Sequence, residues 1–527
     1  MKRWRRWAAL LLCALLTAAL LPGCGQPDET VTFAAALEGA PATYDPAMAV
    51  SAVEQTAAMH LFENLMRLHN GDNGIEVEGA VAQSWECTDN MDGTETYTFR
   101  LRNDARWSDG KEVRAQDFVY GWQHLVDPAT ESPNAAMLDM VAGYDKARKG
   151  DLDALAVMAV NDTTLQVDLS CRCPYFLRSI CTAAATMPRR ADLAGLREVV
   201  GNGPYEWGDE TDGVLTLQLS EHYYDTRRVG PDVLKLYFCA SAEEAQTLLD
   251  DGTVDFAGNL ADEALIGAEG WTAASAPRVT LLVVNQGSRQ LSGYGVLEAM
   301  SLAIDRTALA QLPGAGPRQP AEGLIPYGVV TSAGESFRRP ESALIDNTDY
   351  EKSCADAVAA LQNRDMSAVT GVSVVFEMEG INAQLAGMIQ RNWMEQLGLV
   401  TEIRGQSAEE MAATLSRGEF SVALIRVSGD RNDAGAWLNM WRSRSAENVG
   451  HFSSNAYDML LRVAAAASDA AARDAYLADA ELLLLDQGYV IPLYDEVRFF
   501  RLRTGFAGLV SDGLGVFRFD TVRQVAN

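Results

Sequence analysis

The sequence predicts an α/β fold: a two-lobed clamp with an additional α+β domain, its lobes hinged by strands that cross between them. The chain has 527 residues, which is too long for one hydrophobic core and implies two or three domains. From about residue 371 the pattern alternates cleanly between strand and helix, which indicates a parallel sheet covered by helices. Segments near 275–282 and 485–492 supply the crossings that a hinge needs.

The N-terminus has the pattern of a targeting segment followed by a tether. Four basic residues precede the apolar run Ala8–Leu21, whose 14 residues are too few to span a bilayer and are typical of a signal peptide. Leu21–Cys24 resembles the lipobox of bacterial lipoproteins, in which the leader is cut before a cysteine that carries diacylglycerol. We therefore expect a signal peptide at 1–23, a lipid on Cys24 and a tether at 24–30. A plain secretory signal with a chance cysteine is the alternative.

After the tether, the hydrophobic pattern predicts a strand, a helix, and a hairpin packed under a second helix. Residues 31–33 form a short apolar strand, and Ser51–Glu54 has the pattern of a capping box that opens a helix through about Leu65. In 97–102, apolar and polar residues alternate as in a half-buried strand. The second helix carries one apolar stripe, made of Phe118, Trp122 and Leu125.

The rest of the chain predicts two β-α-β arrangements. A strand at 233–238, a helix from Ser241 to Leu249 and a strand at 254–256 indicate a parallel pair. A strand at 280–285 leads to a helix at 296–310. The longer alternation consists of a strand at 372–378, a helix at 383–397, a strand at 399–403, a helix opened by the capping box Ser407–Glu410, and a strand at 420–427. A helix at 469–486 and the apolar segment 489–494 then return the chain to the first lobe.

Several short segments match a known protein family in residue identity as well as in hydrophobic periodicity. They are Ser84-Trp85, Tyr97–Arg102, Arg106–Gly110, Asp117–Tyr120 followed by Trp122, Asn202–Tyr205 and Ser301–Arg306. Their wording and order closely resemble the family 5 extracellular solute-binding proteins, which include oligopeptide- and dipeptide-binding proteins of ABC importers. The resemblance extends from about 31 to 505. It implies a periplasmic-binding-protein-like clamp, with lobe I at 31–48, 201–275 and 490–527, the additional α+β domain at 49–200, and lobe II at 276–489.

A binding loop is expected directly after the strand at 420–427. In an open α/β sheet, ligands bind beyond the carboxyl ends of the strands, and this strand is followed by Asp430, Asn432 and Asp433. The loop resembles the family's Asp-Tyr-Asn-(Glu/Asp)-Pro segment, whose aspartate holds the α-ammonium group of the peptide in oligopeptide-binding members. Asp430 is the matching position. The alternative is that Asp430 and Asn432 are turn formers for local reasons.

Three aromatic residues are further candidates for substrate contact. Trp437 and Tyr494 are predicted to line side-chain pockets, and Tyr44 lies in a turn that resembles the Thr-x-Asp-Pro turn near the mouth of the family's crevice. Burial in the core is the alternative for such side chains. The loop departs from the family pattern at Arg431, which replaces an aromatic residue, and at Ala434, which replaces proline. These departures imply a different loop shape and a preference for a negatively charged ligand.

Charge and motifs exclude several functions. The formal charge is −29 and becomes −33 without the basic leader, so the surface repels phosphate backbones and no nucleic acid is expected as a partner. The sequence contains no Gly-x-Ser-x-Gly, His-Glu-x-x-His or phosphate-loop motif, and its five histidines are scattered. We therefore expect no catalytic residue, no metal and no cofactor. The sequence does not exclude a pair of catalytic carboxylates of the glycosidase type.

Six cysteines follow the proposed anchor: Cys87, Cys171, Cys173, Cys181, Cys239 and Cys354. An exported location permits disulfides, and Cys181 with either Cys171 or Cys173 would close a short loop. Spacing does not choose between these pairings, and six free thiols are the equal alternative.

The resemblance implies a monomeric, extracytoplasmic binding subunit of an ABC importer, lipid-anchored to the bacterial cell membrane at the cell surface or in the periplasm. It would bind a small peptide between its lobes and deliver it to permease subunits in the membrane. Within the same fold, the alternatives are a nickel chelate, haem or an oligosaccharide. From another class, the alternatives are an exported hydrolase or a surface interaction protein.

Overall fold

The computed structural model describes residues 30–71, 74–193, 199–293, 295–314, 316–338, 342–429, 431–467 and 469–525. The predicted signal peptide, Cys24 and nearly all of the tether lie outside these described residues, and so does Asp430. Within the described ranges, each helix is too short or too polar to cross a membrane.

The strands and helices of the described residues are as follows. The strands are β1 (Thr32–Glu38), β2 (Met66–Gly71), β3 (Gly74–Gly79), β4 (Ala82–Asp89), β5 (Glu95–Leu101), β6 (Val157–Asn161), β7 (Thr164–Leu169), β8 (Tyr205–Thr211), β9 (Val214–Leu219), β10 (Val233–Cys239), β11 (Phe256–Leu260), β12 (Thr272–Val284), β13 (Arg318–Pro320), β14 (Val372–Glu377), β15 (Thr401–Gln406), β16 (Val422–Ser428), β17 (Val490–Leu502), β18 (Phe506–Ala507), β19 (Val510–Ser511), β20 (Phe517–Arg518) and β21 (Arg523–Gln524). The helices are α1 (Ala52–Leu61), α2 (Ala115–Val126), α3 (Tyr144–Ala147), α4 (Phe176–Thr182), α5 (Ala242–Asp250), α6 (Val296–Leu302), α7 (Arg306–Ala310), α8 (Tyr350–Ala360), α9 (Asn382–Leu397), α10 (Ala408–Arg417), α11 (Ala434–Asn439), α12 (Asn455–Ala466) and α13 (Ala470–Asp486).

One sheet runs through both lobes. Its strand order is β15-β14-β16-β12-β17-β11-β1-β10-β9-β8, with β13 paired to β17. The long strands β12 and β17 lie at its centre and join the strands of lobe I to those of lobe II. Their pairing shifts register between Ser275 and Val279, and again between Thr280 and Leu281. Such a break in the ladder bends the strand that carries it, so the crossing strands bend where the two lobes join.

The alternation predicted for lobe II is confirmed. β14, β15 and β16 are parallel, and α9 and α10 connect them. The capping box of α10 is formed: Ser407 Oγ accepts from the Glu410 backbone N–H at 3.3 Å, and Glu410 Oε2 accepts from the Ser407 N–H at 2.9 Å. The apolar face of α9 buries Leu385, Ile389 and Trp393 in the core on one side of the sheet, as its period of 3.6 residues requires.

Three predictions about single elements were wrong in detail. The strands β10 and β11 are parallel but do not pair, because β1 lies between them. The helix expected at 296–310 is two helices, and the Asp305 side chain caps the second by accepting from the Ala308 N–H at 2.9 Å. The helix α1 has the predicted capping box but ends at Leu61 rather than near Leu65.

The additional domain is built on the predicted hairpin. β4 and β5 pair antiparallel and continue into the sheet β4-β5-β7-β6, against which α2 packs. The stripe of α2 is buried as predicted, and its core is continuous with that of lobe I through residues such as Phe33 and Leu234. Among the described residues, all six cysteines are free thiols.

Candidate ligand-binding crevice

The carboxyl ends of strands from the two lobes meet over the crossing strands. In lobe II, β16 ends at Ser428, which lies opposite Arg278 of β12. In lobe I, β11 ends near Leu260, which lies opposite Phe499 of β17. Because β12 and β17 pair with each other here, both lobes open toward residues 496–499. A ligand held beyond the strand ends would lie over this segment.

Three arginines surround one glutamate at this meeting point, and we call Arg278, Arg426, Arg498 and Glu496 the crevice charge cluster. The nearest guanidinium nitrogens lie 3.3 Å (Arg426), 3.6 Å (Arg498) and 3.8 Å (Arg278) from a carboxylate oxygen of the glutamate. The side chains of Arg278 and Arg426 are 50% and 45% exposed. Burial lowers the pKa of Arg498, and the two neighbouring arginines lower it further while the glutamate opposes them.

The predicted ammonium ligand, Asp430, lies outside the described residues, but both of its neighbours are described. A Cβ on Gly429 would lie 2.4 Å from Trp437 Nε1, so this position needs glycine for the close approach of the indole. Arg431 Nη1 donates to Asp139 Oδ1 at 3.0 Å. The departure at 431 therefore places a guanidinium against the additional domain.

Asn432 and Asp433 both make buried contacts within the protein. Asn432 Oδ1 accepts from the Val330 N–H at 2.9 Å, while Nδ2 donates to the carbonyls of Gly328 and Asp512 at 3.1 and 2.6 Å. These three bonds tie the binding loop to two other segments. Contact of either side chain with a ligand stays a prediction.

Asp433 also anchors the helix that follows the loop. Its Oδ1 accepts from the Gly435 N–H at 2.8 Å and caps α11. Both carboxylate oxygens accept from Arg473, at 2.7 and 2.8 Å. Burial alone lowers the pKa of Arg473, but the adjacent carboxylate outweighs burial and raises it. The same guanidinium lies 4.4 Å from the ring centre of Tyr175 in the additional domain, so the ion pair sits where lobe II meets that domain.

The three aromatic candidates lie in different places. Trp437 is fully buried in the lobe II core, under the binding loop. Tyr494 lies on the crossing strand β17, also buried, with the Arg318 guanidinium 5.1 Å from its ring centre. Tyr44 contacts Trp207 of β8 edge to face at 4.9 Å, and four strands separate β8 from β17. The structure therefore gathers Trp437 with Asn432 and Asp433, and sets Tyr44 apart.

The crevice charge cluster does not correspond to any motif of the sequence. Its members come from three strands that lie far apart in the chain, so no local motif contains them. A signal was nevertheless present. Arg278 and Arg426 interrupt or adjoin apolar strand patterns that predict central, buried positions, where an arginine is rarely found unless it is paired.

Residues 76–448 match the profile of a family described as bacterial extracellular solute-binding proteins, family 5 Middle. This span is more than two thirds of the chain. The chain belongs to this family. The predicted membership is thereby confirmed.

This solute-binding protein has relatives of similar length. It is 26% identical over 475 residues to the periplasmic murein peptide-binding protein MppA of Escherichia coli (strain K12), with 86% of each chain covered. It is 25% identical over 552 residues to the oligopeptide-binding protein OppA of Bacillus subtilis (strain 168), with 98% of each chain covered. Both relatives are named as binding proteins.

The fold of the solute-binding protein also matches solved structures. The unliganded open form of the periplasmic murein tripeptide-binding protein MppA superposes with a TM-score of 0.77 and 23% identity, covering 95% of this chain and 99% of that one. The predicted fold class, an α/β clamp of the periplasmic-binding-protein type, is confirmed.

Proposed function

We propose that the chain is the lipid-anchored, extracytoplasmic binding subunit of an ABC importer and that it binds oligopeptides between its lobes. The observation that carries this proposal is the meeting of strand ends from both lobes over residues 496–499, in a family whose relatives named above bind peptides. Ligand favours the closed clamp only by its higher affinity for the closed form. The closed subunit then delivers its cargo to permease subunits, without chemical turnover.

Asp430 is the residue proposed to hold the α-ammonium group of the peptide. Its position follows directly on β16 and Gly429, at the carboxyl end of the strand. A carboxylate is the natural partner of an ammonium, and the backbone of the crevice satisfies the peptide amides without reading side chains. The contacts of Asn432 support the proposal because they fix the loop on its far side.

Calorimetric titration of purified protein with peptides of two to five residues tests this role. Asp430→Ala should weaken binding by hundredfold or more, since removing one partner of a desolvated charge pair costs about 3–5 kcal/mol. Asp356→Ala is the matched control, because Asp356 is an exposed aspartate of lobe II on α8. An unchanged dissociation constant for Asp430→Ala would exclude the role.

Native mass spectrometry of protein purified from its host tests the ligand class. We expect bound masses that fragment as peptides. A co-purified nickel chelate, haem or oligosaccharide would replace the peptide proposal by one of those ligands.

Cell fractionation tests the anchor. Cys24→Ala should release the protein from the membrane fraction, because the diacylglycerol on this cysteine would be its membrane attachment. Retention of the variant in washed membranes would contradict lipidation at Cys24.

A further inference from the structure

The crevice charge cluster carries excess positive charge within a strongly acidic protein. The formal charge of the chain is −29, yet within the described part of the chain three arginines share one carboxylate, that of Glu496, within 4 Å. The next acidic group, Glu38, reaches the cluster only electrostatically, and its Oε2 accepts from the Ala261 N–H at 2.6 Å. One carboxylate cannot neutralise three guanidinium groups. Among the described residues, the cluster therefore has more positive than negative groups.

Most hydrogen-bond donors of the cluster are also unused. A guanidinium has five N–H donors. Among the described residues, Arg278 and Arg426 contact only Glu496, at 3.8 and 3.3 Å. About half of each side chain is exposed, so donors that do not reach Glu496 are open to solvent. They are available to donate to a carboxylate from outside the protein, with the paired geometry that arginine provides.

A fourth arginine beside the cluster adds an independent observation. Arg318 lies on β13 opposite Glu496, and its side chain is only 1% exposed. It pairs with Glu263 at 3.8 Å and donates through Nη2 to the Leu312 carbonyl. Its Nε and Nη1 have no hydrogen-bond partner among the described residues. Buried donors without acceptors are rare and mark a place where an acceptor is missing.

The alternative is that the arginines serve only to neutralise Glu496. A single arginine would suffice for that purpose, and the chain shows this elsewhere: Arg417 pairs alone with Glu419 at 2.9 Å, and Arg404 alone with Glu402 at 2.6 Å. Two further half-exposed arginines around Glu496 would only repel one another. A ligand carboxylate removes that repulsion.

We propose that Arg278, Arg426 and Arg498 form an anion site that makes this protein select acidic peptides, which carry carboxylate side chains in addition to the terminal carboxylate. The proposal rests on the proposed function and names its substrate class. Glu496 holds the three guanidinium groups together until a ligand arrives. The local positive field also draws an acidic ligand into a crevice whose surroundings repel it.

Calorimetric titration with matched peptides of two to five residues tests the selection, using sets in which alanine alternates with glutamate, glutamine or lysine. For the wild type we expect glutamate peptides to bind at least tenfold more tightly than the isosteric glutamine peptides, and lysine peptides to bind most weakly. Arg278→Gln and Arg426→Gln should each reduce the ratio of glutamate to glutamine affinity by about tenfold, the size of one charge-assisted hydrogen bond. Arg417→Gln is the matched surface control and should keep the ratio.

Two results would overturn the proposal: equal wild-type affinity for glutamate and glutamine peptides, or a ratio that survives in both crevice variants. Citrate at constant ionic strength separates this failure from failure of the proposed function. If no peptide binds but citrate raises the melting temperature of the wild type and of Arg417→Gln more than that of Arg426→Gln, the anion site stands and the peptide function falls. If citrate acts equally on all three proteins and no peptide binds, both fall.

Discussion

Two ion clusters lie on opposite faces of the central sheet, one within lobe II and one where lobe II meets lobe I, and they are built in opposite ways. On one face, Arg473 and Asp433 form a bidentate pair, with side chains 5% and 4% exposed. On the other, the crevice charge cluster shares one carboxylate among three arginines, two of which are about half exposed. The buried guanidinium has a second carboxylate, Asp474, at 3.7 Å, because a buried charge must be neutralised within the protein. The half-exposed arginines of the crevice charge cluster are hydrated and need no matching carboxylate from the protein. Their excess positive charge can therefore bind a ligand.

The largest expected effect comes from breaking the buried pair. Asp433→Ala removes the helix cap of α11 and the bidentate partner of the buried Arg473 guanidinium, which keeps only the longer contact with Asp474 at 3.7 Å. We expect a loss of about 3–5 kcal/mol in the free energy of unfolding. Urea denaturation followed by fluorescence measures it. Replacing both partners by leucine should cost less than Asp433→Ala alone, since the buried guanidinium is removed with its bidentate partner and Asp474 keeps its hydrogen bonds from Ser332. A loss below about 1 kcal/mol for Asp433→Ala would show that the pair is not the buried contact described here.

Asp512 allows a second comparison, since its carboxyl is surrounded by backbone N–H groups instead of an arginine. Its backbone carbonyl accepts from Asn432 in the binding loop. Its side chain accepts from the backbone N–H of Leu514 and Val516 at 2.8 and 3.0 Å. Burial raises the pKa of Asp512 to about 6, against 3.8 for the unperturbed group. The folded state therefore holds a proton that the unfolded chain releases near pH 4, and stability falls as pH rises through this window. At pH 7 the cost is about 3 kcal/mol.

Asp512→Asn keeps the acceptor oxygen and removes the titration. Its gain in unfolding free energy should grow from near zero at pH 4 to about 2–3 kcal/mol at pH 7, as measured by urea denaturation at each pH. Asp520→Asn is the matched control of opposite sign. Burial alone raises the pKa of Asp520, but Arg518 at 3.1 Å outweighs burial and lowers it to about 2. Asp520→Asn should therefore destabilise the protein at pH 7. Equal pH profiles for wild type and Asp512→Asn would contradict the raised pKa.

Local elements were predictable from the sequence because their signals are local. The capping box at Ser407–Glu410 and the helical period of α9 determined the order of strands and helices in lobe II. The insertion of β1 between β10 and β11 was not predictable. β1 comes about two hundred residues earlier in the chain, and its hydrophobic pattern does not show which strands it pairs with. The break in the helix at 296–310 depends on the side chain of Asp305, which caps the second helix. Hydrophobic periodicity alone does not reveal such a cap.

The candidate site was predictable only in part. The position of the binding loop after β16 follows from the rule on strand ends, and the family resemblance singled out Asp430. The crevice charge cluster could not be predicted from the sequence, because Arg278 and Arg498 lie 220 residues apart and meet only through the pairing of β12 with β17. The role of Asp433 as partner of Arg473 was equally hidden, since a loop aspartate is a turn former by composition alone.

The smallest expected change in stability comes from the open cluster itself. Glu496→Gln removes the one carboxylate that the three arginines share, yet two of these arginines are about half exposed and water screens their repulsion. We expect a loss of about 0.5–1 kcal/mol in unfolding free energy at low salt, which shrinks in 0.5 M NaCl as the repulsion is screened. The same variant should bind glutamate peptides several-fold more tightly than the wild type, because their carboxylates no longer compete with Glu496. A loss of stability above about 3 kcal/mol, unaffected by salt and accompanied by weaker binding, would mean that the cluster behaves like the buried pair and serves the fold rather than the ligand.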